Sequence, residues 1–246
     1  MNLKEIQRET GTTPDGQYGP KTAAALRAAG YEVVIDAGHT SDRTREYPDQ
    51  WPASAWQDAE FCAAARALGL ERGTRDSVEH VLNCAVAEAT RKALANRRRV
   101  LVYDDPALGN KAEYQLAAKV ANGAGARVFL SLHANGSLGV DRYARNTACG
   151  TISYYRKGRA ASARLALMLT EGVNALRAAT GGPSNRADKT AATTEYHVLN
   201  ATDASMASAL VEVGFYDHRG DFCWMASHVA ELGAALAGAI EDFLRS

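Results

Sequence analysis

The stretch Arg127-Val128-Phe129-Leu130-Ser131-Leu132-His133-Ala134-Asn135 constrains this chain more than any other. Its compact apolar run follows Gly123 and Gly125, and it ends in an imidazole and an amide. That pattern predicts a buried central strand. A polar cluster at the carboxyl end of such a strand is where open α/β sheets hold ligands. Two further runs end in comparable chemistry. Val33-Val34-Ile35-Asp36-Ala37-Gly38-His39 closes on a second histidine, and Ala209-Leu210-Val211-Glu212-Val213-Gly214 carries a glutamate among apolar neighbours. Three strands of this kind bring two imidazoles and a carboxylate to one rim, and that donor set suggests a metal.

The intervening segments alternate helical and extended patterns. Strands are predicted at residues 31–36, 100–103, 151–155 and near 196–199, besides the runs holding His133 and Glu212. Helices are predicted at about 53–68, 78–96, 111–121, 160–179 and 227–244. The helix over 78–96 has the clearest period, with Val78, Val81, Leu82, Ala85, Val86, Ala89 and Ala93 on one stripe. The alternation predicts an α/β fold, with a mostly parallel twisted sheet flanked by helices. Residues 1–30 read as a short helical appendage. Pro14-Asp15-Gly16 forms its turn, Pro20 opens its second helix and Gly30 ends it.

Composition narrows the function. Lys+Arg and Asp+Glu both total 28 in 246 residues, so the formal charge is zero. A partner held mainly by bulk charge, such as nucleic acid or an anionic membrane, is not expected. Cys62, Cys84, Cys149 and Cys223 form no CxxC pair and read as reduced structural thiols. The first residues lack the apolar core of a signal peptide, and no apolar run is long enough to span a bilayer. The expectation is synthesis in the cytoplasm.

A hydrolytic zinc site needs three protein ligands and one open position, and His₂Glu is a common set. His39 and His133 supply the imidazoles. Glu46, Glu60, Glu71, Glu79 and Glu88 all lie between them. Glu79 is the choice because it borders the apolar stripe of the best-patterned helix, whereas His80 points away from that stripe. The spacing Asp76-x-x-Glu79 also reads as a capping box. Glu212 sits among Leu210, Val211, Val213 and Phe215, where an unpaired charge is costly, so it must be paired or functional. Asn135 either orients substrate or caps the next turn.

Val34-Ile35-Asp36-Ala37-Gly38-His39, Ser131-Leu132-His133-Ala134-Asn135 and Leu210-Val211-Glu212-Val213-Gly214-Phe215 resemble, in order, the signature stretches of the zinc-dependent N-acetylmuramoyl-L-alanine amidases. The resemblance spans residues 31–246. It implies one zinc ion held by His39, Glu79 and His133, with Glu212 as catalytic base. Glu79-x-x-x-Asn83 and Asn122 fit the same pattern. The chain departs from it in two places. Thr40-Ser41 stand where paired glycines usually follow the first histidine, and the segment between His39 and Glu79 is longer than usual. That insertion is expected to shape a substrate groove. Residues 1–30, with Pro14-Asp15-Gly16-Gln17-Tyr18-Gly19-Pro20, resemble about half of a peptidoglycan-binding repeat.

The resemblance implies cleavage of the amide between N-acetylmuramic acid and L-alanine in peptidoglycan. The missing signal-peptide core and the partial wall-binding stretch point to a phage or prophage endolysin acting on the wall after release. The expected form is a monomer with no nucleic-acid partner and no membrane insertion. Two other functions fit the residues: a zinc amidohydrolase or peptidase on a small cytosolic substrate, and a non-catalytic wall-binding protein.

Overall fold

A computed structural model of the chain describes residues 1–39, 50–74, 76–137, 140, 143, 145–184 and 189–246. Glu46 and Thr40-Ser41 lie outside the described residues.

The strands are β1 (Val33–Ala37), β2 (Val100–Tyr103), β3 (Val128–Asn135), β4 (Ile152–Arg156), β5 (Lys189–Thr193) and β6 (Ala207–Phe215), in the spatial order β2-β1-β3-β6-β4-β5. The four strands β2, β1, β3 and β6 are parallel. β4 runs antiparallel to β6, and β5 follows β4. The central strands are buried on both faces, which is why they read as continuous apolar runs.

The helices are α1 (Leu3–Glu9), α2 (Pro20–Ala29), α3 (Ala59–Ala67), α4 (Val78–Leu94), α5 (Asn110–Ala124), α6 (Ala160–Thr180), α7 (His197–Asn200), α8 (Arg219–Ser227) and α9 (Val229–Arg245). Val33, Ile35, Val128, Leu130 and Val211 face one core with Val78, Leu82 and Val86 of α4, Leu165 and Leu169 of α6, and Leu236 and Ile240 of α9. Val34, Leu101, Tyr103, Phe129 and Leu210 face the other, with Val120 and Ala121 of α5, Leu199 of α7, and Leu3, Ile6 and Leu26 of α1 and α2. The chain leaves β1 through α4 to β2, then returns through α5 on the opposite face to β3. The strand order therefore reverses between β1 and β3, and a crevice opens at their carboxyl ends.

Several expectations are corrected. Residues 196–199 form no strand: Tyr196 caps α7, and the sheet is completed instead by β5. The helix expected over 53–68 is a single 3₁₀ turn at Ala55–Gln57 followed by α3, because Asp58 turns extended and its carboxylate accepts from the Glu60 and Phe61 N–H groups. Gly123 lies inside α5, where a Cβ would run into the Tyr18 hydroxyl, so its smallness serves packing rather than a turn. Gly125 does end that helix, at φ 64°.

The N-terminal helices are fastened to the sheet domain. The Tyr18 hydroxyl donates to Lys119 O at 2.7 Å, Arg27 donates to Asn122 O at 3.1 Å, and the Asp104 N–H donates to Met1 O at 3.0 Å. The segment before α4 is anchored by aromatic contacts. Trp51, 3% exposed, meets the ring of Phe61 at 4.2 Å and that of Phe222 at 4.8 Å. No single described helix is long and apolar enough to cross a membrane.

Candidate metal centre and active site

His39 follows β1 in a left-handed conformation at φ 63°, which turns its ring back over the crevice. The peptide before it is held on both sides. The Gly38 N–H donates to Leu132 O at 3.0 Å, and Asn83 Nδ2 donates to Gly38 O at 2.7 Å. A Cβ on Gly38 would overlap the His133 imidazole, so glycine is needed for the two histidines to approach. Their rings meet edge-on at 4.6 Å.

Glu79 comes from the first turn of α4. The cap of that helix is Ser77, which accepts from the His80 N–H, so the capping box expected from Asp76 gives way to a start one residue later. Glu79 Oε1 lies 3.1 Å from His133 Nδ1 and 3.4 Å from His39 Nε2. The three side chains form one group whose donor atoms all lie within 4.8 Å of one another. Of the other glutamates considered, Glu60 pairs with Arg219 at 2.9 Å and Glu88 with Arg91 at 2.6 Å, while Glu71 is exposed.

The hydrogen bonds around His133 test whether a cation suits this group. Ser131 Oγ donates to Asp36 Oδ2 at 2.7 Å, so its oxygen is left to accept from His133 Nε2–H at 3.1 Å. An imidazole whose Nε2–H is given to Ser131 presents a lone pair at Nδ1. That lone pair faces a Glu79 oxygen. Two acceptors so close call for a cation between them, and two imidazoles with a carboxylate suit zinc.

Beneath Ser131, Asp36 meets Glu113 from the first turn of α5. Asp36 Oδ1 and Glu113 Oε1 are both buried and accept no hydrogen bond from an N–H or hydroxyl donor among the described residues. Burial, then the adjacent Asp36 charge, pushes the Glu113 carboxyl far above the usual carboxylate range. The pair therefore keeps one proton at neutral pH.

Glu212 is the register partner of His133 on the neighbouring strand β6, so both side chains project from the same face of the sheet. Glu212 is 9% exposed and lines a cavity of about 400 Å³ together with His39, Glu79, His133, Asn135 and Tyr196. Burial first, and then the Glu212 charge, raises the Tyr196 hydroxyl, which stays protonated. Asn135 is half-buried just past an irregularity in the β3–β6 ladder, and its carbonyl accepts from the Tyr216 N–H at 2.9 Å. None of residues 50–74, the described part of the long segment after His39, lines this cavity.

The structure thus gathers His39, Glu79, His133, Asn135 and Glu212 around one cavity. It adds Asp36, Ser131, Asn83 and Glu113, to which the sequence reading gave no role. For Ser131 a signal existed: Ser131, His133 and Asn135 alternate along β3 and so share one face.

The family profile for N-acetylmuramoyl-L-alanine amidase matches residues 33–242. No curated protein gives a significant match. Among solved structures, the N-acetylmuramoyl-L-alanine amidase of Clostridium difficile 630 superposes with a TM-score of 0.62 at 17% identity, covering 89% of this chain and 98% of its own. The amidase AmiC2 of Nostoc punctiforme gives 0.61 at 21% identity, covering 88% and 98%. The catalytic domain of CwlV from Bacillus (Paenibacillus) polymyxa gives 0.57 at 23% identity, covering 87% and 98%. These likenesses concern the fold, and the match over residues 33–242 settles the kinship: this chain belongs to the N-acetylmuramoyl-L-alanine amidase family.

Proposed function

We propose that the protein is a zinc-dependent amidase that hydrolyses the bond between N-acetylmuramic acid and the L-alanine of the peptidoglycan stem peptide. The observation that carries this reading is the convergence of His39, Glu79 and His133 on one point, with Glu212 beside them across the β3–β6 ladder. His39 Nε2, Glu79 Oε1 and His133 Nδ1 would hold the ion. Zinc bound there lowers the pKa of water towards neutrality and polarises a carbonyl. Ser131 and the protonated Asp36–Glu113 pair hold the His133 ring in the tautomer whose Nδ1 is available. Glu212 takes the proton of the attacking water and delivers it to the departing amine of L-alanine. Asn135, at the cavity wall, orients the substrate.

In this reading residues 31–246 are the catalytic domain. Residues 1–30, for all their likeness to half of a wall-binding repeat, are part of its packed body. That likeness also makes a phage or prophage lysin the setting we propose. Metal analysis tests the ligand set. His39→Ala and His133→Ala should each lose the zinc ion of this centre and their activity on purified cell walls. Full zinc content in His133→Ala contradicts the assignment. If Glu79→Ala keeps its zinc while Glu46→Ala or Glu60→Ala loses it, the third ligand lies in the inserted segment.

A further inference from the structure

A second set of donors lies on the other side of the α4 first turn, outside the cavity described above. His80 and Cys84 are one helical turn apart on α4, and Asp104 follows the last residue of β2. Cys84 Sγ lies 3.5 Å from His80 Nε2 and 3.7 Å from Asp104 Oδ2, and His80 Nε2 lies 3.5 Å from Asp104 Oδ1. Like the first set, these donors all fall within 4.8 Å of one another. Ordinary bond lengths to zinc at tetrahedral angles place sulfur, nitrogen and oxygen ligands about 3.4–3.6 Å apart. The two separations of 3.5 Å fall within that spacing, and the third, 3.7 Å to the other oxygen of Asp104, lies just beyond it. Asp104 Oδ1 is buried and accepts no hydrogen bond among the described residues. His80 is 7% exposed, so its ring is held in place rather than left in solvent. Cys84 and Asp104 also line a cavity of about 470 Å³ with Tyr31, Glu88 and Arg91, which gives an ion a way in and leaves room for water as fourth ligand.

We propose that His80, Cys84 and Asp104 form a second transition-metal site, suited to zinc and separate from the centre at His39, Glu79 and His133. Thiolate, imidazole and carboxylate are donors that zinc accepts together, whereas calcium and magnesium take oxygen. The site joins the start of α4 to the end of β2. Because His80 is the chain neighbour of Glu79, an ion there fixes the helical turn that presents Glu79 to the first centre. Its role is positioning, and the reaction takes place elsewhere.

Cobalt(II) substitution of the full-length protein separates the two sites. Only the second contains sulfur, so only it gives a thiolate-to-cobalt charge-transfer band in the near ultraviolet. The protein should take up about two cobalt ions per chain and show this band. Cys84→Ser and Asp104→Asn should each hold about one, and Cys84→Ser should lose the band. The loaded protein should melt higher than its metal-free form, by a margin that shrinks in Cys84→Ser. His39→Ala should lose one ion and keep the band. Absence of the band from the cobalt-loaded protein overturns the proposal, as does its survival in Cys84→Ser. One ion per chain with the band, unaffected by His39→Ala, leaves this site standing and removes the first.

Discussion

The proton-transfer role we propose for Glu212 can be separated experimentally from its place in the strand. Glutamine at this position keeps the shape and the hydrogen-bonding capacity but takes no proton from water. Glu212→Gln should fold normally and keep its zinc, while kcat falls by about 10²- to 10⁴-fold, the usual worth of general acid–base catalysis. The acidic limb of its kcat/KM profile should disappear from the residual activity. Zinc loss would make the residue a ligand, and near-normal turnover would make it structural. The sequence made His39, His133 and Glu212 legible because each ends or interrupts an apolar strand, where a polar side chain needs a reason. The supports were less legible. Asn83 reaches Gly38 across 45 positions of sequence, and Glu113 meets Asp36 only because α5 starts beside the end of β1. His80 points away from the core stripe, yet it is buried against Cys84 and Asp104 on a different face of the same helix.

At the scale of elements, α1 and α2 bear most directly on how the catalytic body is built. Leu3, Ile6 and Leu26 are at most 2% exposed and pack on the same core as α5 and β3. Fully burying such a side chain is worth about 1.5–3 kcal/mol relative to exposure. A protein beginning at Gly30 should therefore melt well below the full chain in calorimetry, with reduced activity that follows its instability. Equal stability combined with weaker binding to cell walls would instead make these helices an anchor. The parallel strands and long helices were readable from period and length. The stretch at 196–199 was not: four residues carrying Tyr196, Val198 and Leu199 fit a short strand or one helical turn equally well, and packing against α5 decides for the turn.

At the scale of the whole molecule, the buried acid pair ties stability to pH. The Glu113 carboxyl is raised in the folded protein, so folding retains a proton that the unfolded chain releases above the ordinary carboxylate value. The stabilisation is complete below that value and is lost as pH rises towards the raised one. In chelator, the unfolding free energy of the wild type should fall relative to Glu113→Gln between about pH 5 and pH 8, by up to about 1.4 kcal/mol per pH unit. Parallel curves would show that the pair holds no extra proton. The most direct test of which bond is broken is mass spectrometry of the fragments released from purified sacculi by the zinc-loaded protein. The predicted result is stem peptides with new N-terminal alanine, beside glycan strands with free lactyl carboxyls. New reducing sugar ends, or peptides cut inside the stem, would contradict it.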